Sequence, residues 1–133
     1  MHIERFEDVQ GWQKARELTR MVYSVTRQGT FARDFGLRDQ MERASVSVMA
    51  NIAEGFDAGT DAEFIRFLRY ARRSASEVQS HLYIALDQGY VTQAQFDEIY
   101  ETAAETKRLI GGFIRYLSSS PKPPARSRQR PPD

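Results

Sequence analysis

Few residues in this chain have the types and spacing to do chemistry. Ser47 and Asn51 stand one helical turn apart, with Glu54 near the same face. A hydroxyl, an amide and a carboxylate so placed can make a polar ligand site or hold a catalytic group. They also suit a structural role, hydrogen-bonding between helices and fixing register. The structural role is the expected one, because no His or Lys lies nearby in sequence to act as a base. Arg43 and Glu77 are the charged residues expected closest to the core, with an ion pair from Glu77 to Arg38 or Arg43. Such a pair serves packing specificity more than stability, since desolvation offsets most of the attraction.

Arg66, Arg69 and Arg73 share a helix face, which Arg72 adjoins. Arginine's planar fork suits phosphate, so this stripe is a candidate nucleic-acid surface. The competing reading is a solvated face in an arginine-preferring protein, and the stripe lacks the aromatic interleaving that single strands favour. His2 and His81 are the only histidines and lie far apart. Glu77, one turn before His81, is the whole case for a metal there. Glu98, Glu101 and Glu105 share a face, but a ferritin-like di-metal site needs Glu-x-x-His motifs, and none is present. The acidic stripe is therefore expected to be solvated or to face the arginines of another subunit. Cysteine is absent, which removes disulfides, thiol nucleophiles and thiolate metal sites. No nucleophile–base pair, phosphate loop, cofactor site or small-molecule substrate site is evident, so an enzyme is not expected.

The elements that would position these residues are helices. All five prolines fall in the last fifteen of 133 residues. That tail, 119–133, carries Lys122, Arg126, Arg128 and Arg130 against Asp133. It has nothing apolar to bury and is expected to be disordered and basic, a further candidate contact for RNA or DNA. The whole chain has a net charge of only +1. The proline-free body, 1–118, reads as one domain. Its start has no apolar signal-peptide core, and no apolar run approaches the ~18 residues of a membrane span. A soluble cytoplasmic protein without a membrane partner is expected.

Helical periodicity marks four segments. The first, about 8–28, has Asp8 as cap and Trp12, Ala15, Leu18, Val22 and Val25 as its stripe. Phe31 and Phe35 in the linker are expected to tuck against the bundle. The second, about 37–54, buries Leu37, Met41, Ala44, Val48 and Ile52, and Gly55 suits a left-handed C-terminal stop. The third, 61–88, opens on the capping box Thr60–Glu63 and repeats Phe64, Leu68, Ala71, Ala75, Val78, Leu82 and Ala85. The fourth opens on a second box, Thr92–Gln95, and carries Phe96, Ile99, Ala103, Thr106, Ile110, Phe113 and Leu117. Gly111-Gly112 keeps the phase and predicts helix with a close backbone neighbour, a local kink being the alternative. Trp12, Tyr23, Tyr70, Tyr83 and Tyr116 are expected to be core or interface aromatics. Short loops make an all-α, antiparallel up-down-up-down four-helix bundle.

The second segment has an unusual outer face. From Ala44 to Ala53 no residue is charged, whereas a solvent-facing helix carries a polar face. Val46, Met49, Ala50 and Ala53 lie largely opposite Val48 and Ile52. They are the expected contact with another copy of the chain.

These residues carry a resemblance. The order is Trp12-Gln13 with Ala15, then Gln40 to Gly55 with Arg43-Ala44 and Asn51-Ile52-Ala53-Glu54-Gly55. Next come Glu63-Phe64 and Phe67-Leu68, leading to Ala71, Ser74 and Glu77. It resembles the four-helix bundle proteins encoded in intervening sequences of bacterial 23S ribosomal RNA genes, over nearly all of 3–118. More distantly it is similar to the accessory protein of diversity-generating retroelements, a basic pentameric barrel that binds nucleic acid and a reverse transcriptase. The resemblance implies a homopentameric ring with no established enzyme activity. Read from their positions on the helices, Arg43, Ser47, Asn51, Glu54, Ser74 and Glu77 are the expected buried structural polar residues. The family usually has Pro-Ser where this chain has Met49-Ala50, and Gly where it has Arg73. A straighter second helix with a more apolar outer face is the consequence expected here.

Overall fold

The computed structural model describes residues 2–119. Its helices are α1 (Gln10–Thr26), α2 (Phe35–Phe56), α3 (Asp61–Asp87) and α4 (Gln93–Ser119), and the described residues contain no strand. Short 3-10 turns at Phe6–Asp8 and Phe31–Arg33 precede α1 and α2. α1 packs on α2 and α4, and α3 packs on the same two. With short connections this closes the antiparallel bundle that the periodicity predicts. Of the expected tail, only Ser119 is described, as the end of α4. Lys122, Arg126, Arg128 and Arg130 lie outside the described residues.

The predicted stripes of α2, α3 and α4 are buried throughout. The core falls into two apolar clusters. One holds Ala15, Val48, Ile52, Phe64, Leu68 and Ile110, and the other Leu18, Met41, Val78, Leu82, Ile99 and Ala103. Between their levels Ser45 and Thr106 are fully buried. Their hydroxyls donate to Glu42 O and Thr102 O one turn back, at 2.9 and 2.7 Å. Thr19 bridges helices there, donating to Ala15 O at 2.8 Å and Ser45 O at 3.2 Å. Returning hydroxyls to local carbonyls lets polar residues cross a core without an orphan group.

The ends of the helices follow local chemistry. Thr92 and Gln95 form the reciprocal box, with N–H···O distances of 2.8 and 3.1 Å. Thr60 accepts from Glu63 N at 3.2 Å, while the Glu63 carboxylate turns to Arg66. Asp8 does not cap α1. Its carboxylate accepts from Glu4 N and Arg5 N, bracing the preceding 3-10 turn, and Val9 takes the cap position. Asp34 caps α2 instead, accepting from Leu37 N at 3.2 Å, so the helix begins earlier than the stripe suggested. That start carries Phe35 outward, 62% exposed, while Phe31 is buried and stacks on Tyr90 at 4.9 Å.

Gly55 is not a stop. It lies inside α2, which ends at Phe56, and the left-handed glycines are Gly29, Gly59 and Gly89. A Cβ on Gly55 would lie 2.8 Å from Phe64 Cδ1 and 2.9 Å from Phe67 Cβ. The glycine is required by the close approach of α3. Gly111-Gly112 lies within continuous helix, as expected. Within the chain, however, the nearest atoms to a Cβ on either belong to arginine side chains, at 3.5 Å or more. The close backbone contact lies elsewhere, at Gly11, whose Cβ would meet Ile110 Cγ1 at 3.2 Å and Ile110 N at 3.8 Å.

Candidate interaction surfaces

The polar residues singled out on α2 gather at its groove with α3. Asn51 Nδ2 donates to Ser47 O at 2.9 Å and to Ser47 Oγ at 3.0 Å. Ser74 Oγ, from α3, donates to Ser47 Oγ at 2.9 Å. This chain of bonds ties the two helices at one register, a structural task. Ser74 is buried, and Ser47 and Asn51 are half-buried.

Burial fails within the chain for the charged members of the set. Arg43, Glu54 and Glu77 are exposed. Arg43 and Glu77 line a shared recess of about 270 Å³ with Gln40, Ala44, Ser47 and His81. No ion pair joins Glu77 to Arg38 or Arg43 among the described residues. Arg38 binds Asp39 at 3.4 Å and donates to Ala32 O at 2.9 Å. The Ser47–Ser74 bond shows why a register counted from the loop misplaced them. It sets Glu77 beside Arg43 and Gln40, nearer the loop than pairing with Arg38 requires. Side chains on antiparallel helices lean toward their own N-termini, which shifts contacts away from such a count.

The buried carboxylate is Glu42, which the sequence did not single out. It is 7% exposed and accepts from Arg27 at 2.7 and 3.0 Å and from Thr26 Oγ1 at 2.6 Å. The Arg27 bonds hold its pKa below the ordinary value against the opposing effect of burial, with Thr26 adding to the shift. A two-point Arg–carboxylate pair fixes geometry as well as charge, and here it locks the end of α1 to α2.

The outer face of α2 is open. Val46 is 42% exposed and Ala50 is exposed, while Met49 and Ala53 are half-buried, Met49 packing on the chain's own core. Tyr83 and Tyr116 are exposed, and Trp12, Tyr23 and Tyr70 are half-buried.

The arginine stripe of α3 is partly committed. Arg66 donates to Glu63 at 2.7 Å and to Tyr70 Oη at 2.9 Å, which raises its pKa and lowers that of Glu63. Its guanidinium lies over Phe67 and Tyr70, and Arg73 lies over Tyr70. The stripe is thus interleaved with aromatics, contrary to expectation. Arg69 is exposed. On α4, Glu101 and Glu105 are occupied by Arg108, at 2.7 and 2.6 Å. Among the described residues no group of three or more His, Asp or Glu is placed to hold a metal ion. No helix there is long and apolar enough to cross a membrane.

Sequence reasoning missed a second arginine cluster. Arg72 turns away from the stripe toward α4. There it lines an open recess of about 460 Å³ with Ala104, Lys107, Arg108, Gly111 and Arg115. The spacing of Lys107, Arg108, Gly111 and Arg115 was visible on one helix, but Arg72 joins them only through the α3–α4 register.

Residues 7–112 match the model of the 23S rRNA-intervening sequence protein family. The chain belongs to that family. The chain is also similar to a crystal structure from Bacteroides thetaiotaomicron VPI-5482, a protein of unknown function from the S23 ribosomal protein family. The two are 26% identical, with a TM-score of 0.72, over 79% of this chain and 95% of that one. No curated protein matches the chain. The Asn51-Ile52-Ala53-Glu54-Gly55 string has a physical basis in the structure. Asn51 braces Ser47, Ile52 fills the core, and Gly55 admits Phe64 and Phe67.

Proposed function

We propose that this chain is a non-enzymatic, cytoplasmic subunit that assembles with copies of itself into a homopentameric ring. The observation that carries this is the outer face of α2. Between Arg43 and Glu54 it offers solvent no charge, with Val46 and Ala50 uncovered. Contiguous exposed apolar surface marks an interaction site. The small side chains of Ala50 and Ala53 let another backbone approach closely. A second copy is the natural occupant, because one interface repeated by rotation closes a ring.

The test is Val46→Asp and Ala53→Asp. A carboxylate trapped in an apolar contact costs several kcal/mol. Each variant should elute as a single chain with the helical circular dichroism of the parent. Variants that stay assembled would show that α2 is not the contact.

A second reading, RNA or DNA binding by an adaptor, is favoured by one observation. Arg66, Arg69 and Arg73 share a face with the rings of Phe67 and Tyr70, a composition suited to single strands. Binding should weaken steeply with salt and on deletion of 119–133, which removes Lys122, Arg126, Arg128 and Arg130. Salt-insensitive binding, or none, would remove this reading.

A further inference from the structure

Two features of α4 lack an explanation within the chain, and they coincide in space. The first is Gly111-Gly112 inside a continuous helix. Glycine is among the poorest helix formers. Gly55 and Gly11 earn their places by close packing, but a Cβ at Gly111 would find only ordinary contacts, Arg72 Nη1 at 3.5 Å and Arg115 Nη1 at 3.7 Å. At Gly112 the nearest atom is Arg115 Nη2, at 3.7 Å. Nothing in the subunit needs the space these glycines leave.

The second feature is the charge around that space. Two guanidinium groups from different helices reach the same point above Gly111. Among the described residues neither the Arg72 nor the Arg115 guanidinium has a hydrogen bond or an ion pair. Lys107 sits at the same recess, with its ammonium on the neutral amide of Gln79 at 3.0 Å. Arg108 completes it, its charge matched by Glu101 and Glu105. Like charges brought together repel, and an anion between them would relieve that repulsion.

We propose that the recess over Gly111 is a phosphate-binding site in which Arg72 and Arg115 grip the oxygens of one phosphate group. Guanidinium forks match phosphate oxygens in pairs. The missing Cβ atoms give the anion a floor of bare helix to approach. Lys107 adds a long-range positive field. The phosphate comes either from a free diphosphate or from the backbone of an RNA strand. The site rests on neither reading above, since it uses neither the face of α2 nor the Arg66–Arg69–Arg73 stripe.

The experiment uses the full chain and two probes, inorganic pyrophosphate by calorimetry and a short labelled single-stranded RNA by fluorescence anisotropy. Binding of pyrophosphate alone assigns the site to a free phosphate. Binding of RNA without binding of pyrophosphate assigns it to a strand, and RNA that pyrophosphate displaces shows one site open to either. In each case Arg72→Gln and Arg115→Gln should each weaken binding about tenfold. Arg72→Lys should weaken it too, because it keeps the charge but loses the fork. Arg69→Gln should leave affinity unchanged. Gly111→Ala should weaken binding while raising the Tm, which separates lost space from lost fold. The proposal is overturned if neither probe binds, or if Arg72→Gln and Arg115→Gln bind like the parent. It is equally overturned if those variants change the solution mass without changing affinity, since the cluster would then be a subunit contact.

Discussion

Glu42 shows how one buried charge is made tolerable. Its carboxylate is satisfied by three hydrogen bonds, two from Arg27 and one from Thr26. Replacing it by Gln leaves buried groups imperfectly paired, and we predict a loss of about 1–3 kcal/mol in urea unfolding at pH 7. The pH dependence has a definite sign. The folded pKa of Glu42 lies below its ordinary 4.5, chiefly through the Arg27 bonds. Its contribution is therefore complete above that ordinary value and disappears as pH falls through the lowered one. The stability gap between parent and Glu42→Gln should begin to close below pH 4.5 and vanish as pH falls through the lowered folded pKa. A gap of constant size would show that the bonds to Arg27 do not depend on the carboxylate's charge. Periodicity located the stripe that Glu42 flanks, yet pointed to Arg43 and Glu77 as the inward charges. Which charged neighbour of a stripe turns inward depends on a partner on another helix, here Arg27, and one helix's own pattern does not contain that information.

At the scale of the helix, glycines separate two kinds of constraint. Gly55→Ala should destabilise the fold by about 1–3 kcal/mol, because its Cβ collides with the Phe64 ring and Phe67 Cβ. Gly111→Ala should instead stabilise it by about 1 kcal/mol, the ordinary helix-propensity gain, since its Cβ has room. Thermal unfolding of the two variants should move in opposite directions. Movement in the same direction would contradict this account of α2–α3 packing. Helix identity and the buried stripes of α2, α3 and α4 were legible in the sequence, because repeats of three and four persist between clear caps such as Thr60 and Thr92. Starts and stops were less so. Asp8 and Asp34 are both good caps by type, and only the 3-10 turn at Phe6–Asp8 decides that Asp8 is already engaged. Gly55 was misread for a similar reason. A glycine at a helix end and one beneath a crossing helix look alike until the partner helix is placed.

For the whole molecule, bundle topology followed from short loops and amphipathic segments, whereas surfaces built from two helices did not. The recess at Gly111 needs Arg72 from α3 and Arg115 from α4, and the Ser47–Ser74 tie needs α2 and α3 in register. The α2 face differs, being marked in the sequence by the absence of charge from Ala44 to Ala53. An isolated bundle leaves Val46 and Ala50 in water, and the proposed assembly would remove that apolar area from solvent at about 25 cal/mol per Å². The central claim is therefore the mass of the protein in solution, measured by light scattering on the parent chain at two salt concentrations. A single species at five times the 15.3 kDa chain mass, unchanged by salt, is the predicted result. A species of 15.3 kDa at both salt concentrations would contradict the ring and leave the uncharged face of α2 without a partner.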